Sequence, residues 1–125
     1  MKDLDRAVAL LGPLEGRVMR AVWTQAVSEP FVVRDVLALM PELAYTTVMT
    51  TVRRLADKDL LIADAGGRAH EYRAAGDPRW FLAEASAREA TEFVSRYGEA
   101  GLAAFAARLS ELTAEQRRRL EDLAQ

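Results

Sequence analysis

The segment Ala44-Tyr45-Thr46-Thr47-Val48-Met49-Thr50-Thr51-Val52-Arg53-Arg54-Leu55-Ala56-Asp57-Lys58 divides into two faces when wound as a helix. At about 100° per residue, Val48, Val52, Leu55 and Ala56 share one side, with Tyr45 close by. Thr46, Thr50, Arg53 and Arg54 fall on the other side, and Thr47 and Met49 flank them. The first face suits burial. The second carries short hydroxyls and two guanidiniums, and no carboxylate before Asp57. Threonine is a poor helix former, and surface helices favour Glu, Lys or Ala, so four threonines here point beyond a merely solvated face. Short hydroxyl side chains let a helix sit close to base edges, and arginine is the commonest partner of guanine and phosphate. The competing reading is an ordinary β-branched amphipathic helix with its polar side in water.

Working backward, Gly12-Pro13-Leu14-Glu15 reads as a helix start, with Pro at the first helical position and an acid in the first turn. Leu14, Val18, Ala21 and Val22 recur at helical spacing, and Trp23 is a core candidate. Phe31-Val32 is a brief extended run. Val33 to Met40 reads as a short helix with Val33, Val36, Leu37 and Met40 inside and Arg34 and Asp35 outside. Pro41-Glu42-Leu43 turns the chain into the Thr/Arg helix, giving a helix-turn-helix. Working forward, Leu60 to Ala65 and Arg68 to Arg73 are strand-like around Gly66-Gly67, a hairpin signal. Helix, strand, helix, helix and hairpin describe a winged helix, with Arg68 and His70 on the wing and Arg73 as a further candidate there.

From Asp77-Pro78 a long helix is expected to about Tyr97, interrupted by Gly98 and Gly101. A second follows from Leu102 to Leu109, and a last one opens at Thr113-Ala114-Glu115-Gln116, which has capping-box spacing. The fold class is therefore mainly α with a small β-wing. Residues 1–74 form a winged-helix DNA-binding domain, and residues 75–125 a helical dimerisation domain. Three alanine-rich helices of roughly 45 residues bury too little of their own apolar surface, because even domains of ~60 residues are marginal alone. Packing on a second copy about a two-fold axis resolves this, with Phe81, Phe93, Leu102, Phe105 and Leu109 as interface candidates. Arg117-Arg118-Arg119 reads as a solvated face neutralised by Glu115, Glu121 and Asp122.

Composition narrows the function. The 125 residues contain no cysteine and one histidine, His70, which removes disulfides, thiolate metal sites and a histidine cluster. An enzyme would need a nucleophile–base pair or a metal cluster, and none is visible. No metal or cofactor is implied. The segment from Met1 to Arg6 is acidic where a signal peptide is basic, and no run approaches the ~20 apolar residues of a membrane span. A soluble, cytoplasmic protein without membrane insertion is expected. The formal net charge is −2, unlike a typical nucleic-acid binder. Residues 1–74 hold ten Lys/Arg and ten Asp/Glu, and residues 75–125 hold seven and nine. The excess acid thus lies in the second part. The same balance suits a rival reading, a winged helix used as a protein-interaction module.

Leu11-Gly12-Pro13-Leu14-Glu15 with Val18-Met19 and Val22-Trp23 resembles the opening of the penicillinase-repressor family of BlaI, MecI and CopY-type regulators. Ala44 to Thr50 with Arg54-Leu55 and Lys58 is similar to its recognition helix, and Arg68-Ala69-His70-Glu71-Tyr72 to its wing strand. The resemblance implies a homodimeric repressor on dyad double-stranded operator DNA. It places base contacts at Thr46, Thr47, Met49 and Thr50 and backbone contacts at Arg53 or Arg54 and at Arg68. His70, by its place on the wing, is a further backbone-contact candidate against the reading of a solvated strand residue. Some members carry Lys and Arg where this chain has Thr46 and Met49, so the operator is its own; Met49 suits a thymine methyl. Copper-responsive members use paired cysteines, which this chain lacks. Antibiotic-responsive members are released by a sensor protease cutting the tail before a Phe that aligns with Phe105. Here Ala103-Ala104 precede it, making Ala104 and Phe105 the implied cleavage region.

Overall fold

The computed structural model describes residues 2–64 and 70–124. They fall into two compact units, residues 1–84 and residues 85–125. The first unit begins with α1 (Asp3–Ala9), which the sequence reading passed over. Asp3 and Asp5 sit in its first turn, where the helix dipole favours negative charge, and Ala7 is its buried residue. α2 (Pro13–Trp23) starts at Pro13 as expected and buries Gly16, Val18, Met19, Ala21 and Val22. Gly16 admits α1: a Cβ there would stand 3.1 Å from Val8 Cγ1 and 3.3 Å from the Val8 carbonyl oxygen.

α3 (Val33–Leu37) is shorter than the expected span to Met40. It is held at its start by the Asp35 carboxylate, which accepts the Val32 N–H at 2.9 Å. Turn bonds from Leu39 to the Val36 carbonyl and from Met40 to the Leu37 carbonyl replace its last turn while Met40 stays buried. α4 (Tyr45–Asp57) packs on both α2 and α3. Asp59 then adopts a left-handed φ of 65° and reverses the chain, a conformation that Asp tolerates better than most residues. The wing strands β1 (Leu61–Asp64) and β2 (Glu71–Ala74) pair antiparallel, Leu61 opposite Ala74 and Asp64 opposite Glu71. The extended run at Phe31 joins them: Phe31 and Tyr72 exchange N–H to carbonyl bonds of 2.9 and 2.8 Å. The expected Gly66-Gly67 turn lies outside the described residues. The architecture is a winged helix, mainly α with a two-stranded wing.

One apolar core unites these elements, through Val18, Met19, Val22, Phe31, Val36, Val48, Val52, Leu55 and Leu61. α5 (Pro78–Leu109) starts in this unit, with Asp77 accepting the Trp80 N–H at 2.8 Å as an N-cap. Its first turns dock there because Phe81 lies 5.9 Å from the Trp23 ring and Trp23 Nε1 donates to the Gly76 carbonyl at 2.9 Å. The compact unit thus takes in the start of α5 and runs to residue 84.

The second unit holds the remainder of α5 and α6 (Ala114–Leu123). α5 breaks at Gly98, whose φ of 60° and ψ of −141° are non-helical. Gly101 does not interrupt it. Gly101 is helical and buried, 2.8 Å by ideal Cβ from Tyr97 Cβ and 3.0 Å from the Phe93 ring. α6 opens on the expected capping box: Gln116 N–H donates to Thr113 Oγ1 at 3.1 Å, and Thr113 N–H to Gln116 Oε1 at 2.9 Å. A Cβ at Gly98 would meet nothing within 4 Å, so Gly98→Ala isolates the backbone effect. It is expected to lower the stability of this unit by roughly 1–3 kcal/mol, read from the helical dichroism signal during urea unfolding.

Candidate nucleic-acid interface

α4 is built from the inside out. Val48, Val52 and Leu55 are at most 1% exposed and lock the helix to the core. The rest of the inner face departs from the sequence reading in two places. Thr51 is buried, with its hydroxyl satisfied by the Thr47 carbonyl at 2.8 Å; one of the four threonines is a core residue. Tyr45 is not on the inner face but 40% exposed, with the Arg34 guanidinium 5.2 Å over its ring.

The outer face is as the periodicity requires. Thr46, Thr50, Arg53 and Arg54 are exposed, and Thr47 and Met49 are half-buried on the flanks. Among the described residues neither Arg53 nor Arg54 enters an ion pair, whereas Lys58 at the helix end is held by Glu15 at 2.9 Å. Two exposed guanidiniums thus remain available on a helix that shows no carboxylate before Asp57. The Thr50 hydroxyl donates to the Thr46 carbonyl at 2.8 Å. With its proton spent inside the helix, its oxygen offers lone pairs outward and so acts as an acceptor, while its methyl stays free for apolar contact.

His70 is exposed, its ring stacked 6.4 Å from that of Tyr72. It is brought beside α4, since His70 and Tyr72 line one groove with Arg34, Tyr45, Met49 and Arg53. Arg68 lies outside the described residues. Arg34 and Tyr45 were not singled out as site residues from the sequence; the only signal was an Arg on the polar side of a short helix. Among the described residues no group of His, Cys, Asp or Glu could hold a metal ion, and no helix is long and apolar enough to cross a membrane.

In the second unit Phe93, Tyr97, Leu102 and Phe105 are 39%, 53%, 52% and 60% exposed. Leu109 is half-buried, and Gly101 is the one buried residue among those described there. Phe81, expected beside them, packs instead on Trp23 in the first unit and is half-buried there.

A helix-turn-helix with a β-wing, carrying an open Thr/Arg face on its second helix, defines a winged-helix transcriptional regulator. Residues 11–125 match the penicillinase repressor family, and the chain belongs to that family, one of regulators and not of enzymes. It is 46% identical over 65 residues to the transcriptional regulator BlaI of Mycobacterium tuberculosis, in strains CDC 1551 / Oshkosh and H37Rv alike. That alignment covers 50% of this chain and 46% of the relative, so the chain spans about half the length of the curated relatives it matches. Among solved structures, the MarR family protein Rv2887 of M. tuberculosis, in complex with salicylic acid, aligns over 98% of this chain and 82% of its own. The TM-score is 0.43 at 19% identity.

Proposed function

We propose that the chain is a sequence-specific DNA-binding repressor that acts as a homodimer on dyad double-stranded operator DNA in the cytoplasm. The observation that carries this is the outer face of α4, rigidly seated and free of carboxylate until its end. In this reading α4 enters the major groove. Thr46, Thr47, Met49 and Thr50 meet base edges, and Arg53, Arg54 and His70, with Arg68 by resemblance, hold phosphates. Repression follows from occluding polymerase and needs no catalysis.

The second unit supplies the dimer. Phe93, Leu102, Phe105 and Leu109 bury their apolar surface on a second copy, which sets two recognition helices in major grooves about 34–36 Å apart or a multiple of that. Release by a sensor protease cutting between Ala104 and Phe105 fits the resemblance. Both residues are exposed, but they lie in a helix, so cutting requires local unwinding. The second reading, a protein-interaction module, draws on the net charge of −2.

Fluorescence anisotropy of the full chain on its own upstream DNA and on scrambled DNA, across a salt series, decides between them. Selective binding that falls steeply with salt is the expected result; equally feeble binding to both DNAs moves the weight to the protein module. Thr50→Ala is expected to cost about 1 kcal/mol of discrimination between the two DNAs while sparing most non-specific binding. Arg54→Ala is expected to weaken binding to every sequence. Two copies in a dimer release two phosphates, so the slope of log affinity against log salt should shrink by roughly 1.8. An unchanged slope would make Arg54 a structural residue.

A further inference from the structure

A groove of about 300 Å³ lies between the start of α3, the outer edge of α4 and the wing. Its walls are chemically divided. Arg34, Arg53 and His70 supply two guanidiniums and an imidazole, and Tyr45 and Tyr72 supply aromatic rings. Val32, Val33 and Met49 complete an apolar floor. Among the described residues no carboxylate lines it: Asp35, next to Arg34, is turned to the Val32 N–H, and Glu71 alternates with His70 and Tyr72 along the wing. Arg34 is braced by its stacking on Tyr45, so part of the cost of fixing a long side chain is already met. A volume near 300 Å³ with a few convergent polar groups over an apolar wall is the lower size range of small-molecule sites.

We propose that this groove binds a small aromatic anion, and that its occupancy excludes DNA from α4. The guanidiniums and imidazole would hold the anionic head with charge-assisted hydrogen bonds. The tyrosine rings and Met49 would take the planar ring. Met49 and Arg53 belong to the groove and to the DNA-facing side of α4 at once, so one side chain cannot serve ligand and operator together. The exclusion clause rests on the repressor reading; the binding clause does not.

Phenyl phosphate is a suitable probe, because inorganic phosphate and phenol present its two halves separately. Calorimetric titration of the full chain, without DNA and at matched ionic strength, is expected to show phenyl phosphate binding at least about tenfold more tightly than either half. Arg34→Gln and Tyr45→Ala should each weaken it by roughly tenfold, whereas Arg119→Gln on α6 should leave it unchanged. Inorganic phosphate binding as tightly as phenyl phosphate would overturn the proposal in favour of a general anion seat, and so would indifference to Arg34→Gln. In the anisotropy assay, phenyl phosphate should displace upstream DNA where an equal ionic strength of inorganic phosphate does not. Failure to displace bound DNA overturns the exclusion clause. A chain that titrates with phenyl phosphate but binds no DNA retains the groove and loses the repressor reading.

Discussion

Replacing Phe105 by Asp is expected to give a monomer by analytical sedimentation and to lower operator affinity by about 10²–10⁴-fold. The side chain is 60% exposed in the isolated chain, so the carboxylate meets water there and costs little. In a two-fold interface the same substitution places two charges against apolar surface, and a buried unpaired charge is far more costly than any single contact it replaces. Affinity falls because the dimer makes the second half-site contact effectively intramolecular, an advantage of the stated size that a monomer loses without any change in its DNA-facing residues. The salt slope per half-site should persist. Trp23 and Trp80 are the chain's two tryptophans, and both lie in the first unit, so their fluorescence checks that the winged helix remains folded. A dimer that survives Phe105→Asp would mean that the interface runs along another face, such as the one bearing Leu120 and Leu123.

What could be read from the sequence depends on how far each signal extends along the chain. α4 presents thirteen residues, enough turns for the buried Val48, Val52 and Leu55 to declare the inner face by period alone. The Thr113–Gln116 capping box and the Pro13 start were legible for a similar reason, since each is a local chemical pairing that involves no distant residue. Thr51 was not legible. A threonine satisfies its own hydroxyl on the Thr47 carbonyl and then packs like valine, so its class is set by position and not by type. Tyr45 was misplaced because its partner, Arg34, comes from another helix. The same holds for Phe81, whose docking on Trp23 joins residues far apart in sequence. α1 gave too few apolar positions to show a period; its place beside α2 is shown by the close approach of Val8 to Gly16 and by the Arg20–Asp5 pair at 3.2 Å. The groove was invisible altogether, since it is assembled from α3, α4 and the wing.

Leu55→Ala is expected to destabilise the first unit by roughly 2–5 kcal/mol, a large part of the 5–15 kcal/mol typical of a whole domain. Leu55 is 0% exposed and shares the core with Val18, Val22 and Leu61. Removing its isobutyl group therefore forfeits apolar burial and leaves a cavity bounded by α2 and β1, neither of which can close it without shifting. The turn after α4 is retained in this variant, because the Leu60 N–H is bonded to the backbone carbonyl of residue 55 at 2.9 Å, so the loss reports side-chain packing alone. Urea unfolding followed by Trp23 and Trp80 should show the midpoint falling with little change in slope. The Arg54→Ala variant, exposed and unpaired among the described residues, should unfold like the parent while losing DNA affinity. The two variants thus separate the faces of one helix: the inner face holds α4 in place, and the outer face is the one proposed to meet DNA. If Leu55→Ala costs under 1 kcal/mol, α4 is not anchored as the core packing requires. The rigid seating of its Thr/Arg face, on which the functional proposal rests, would then fall with it.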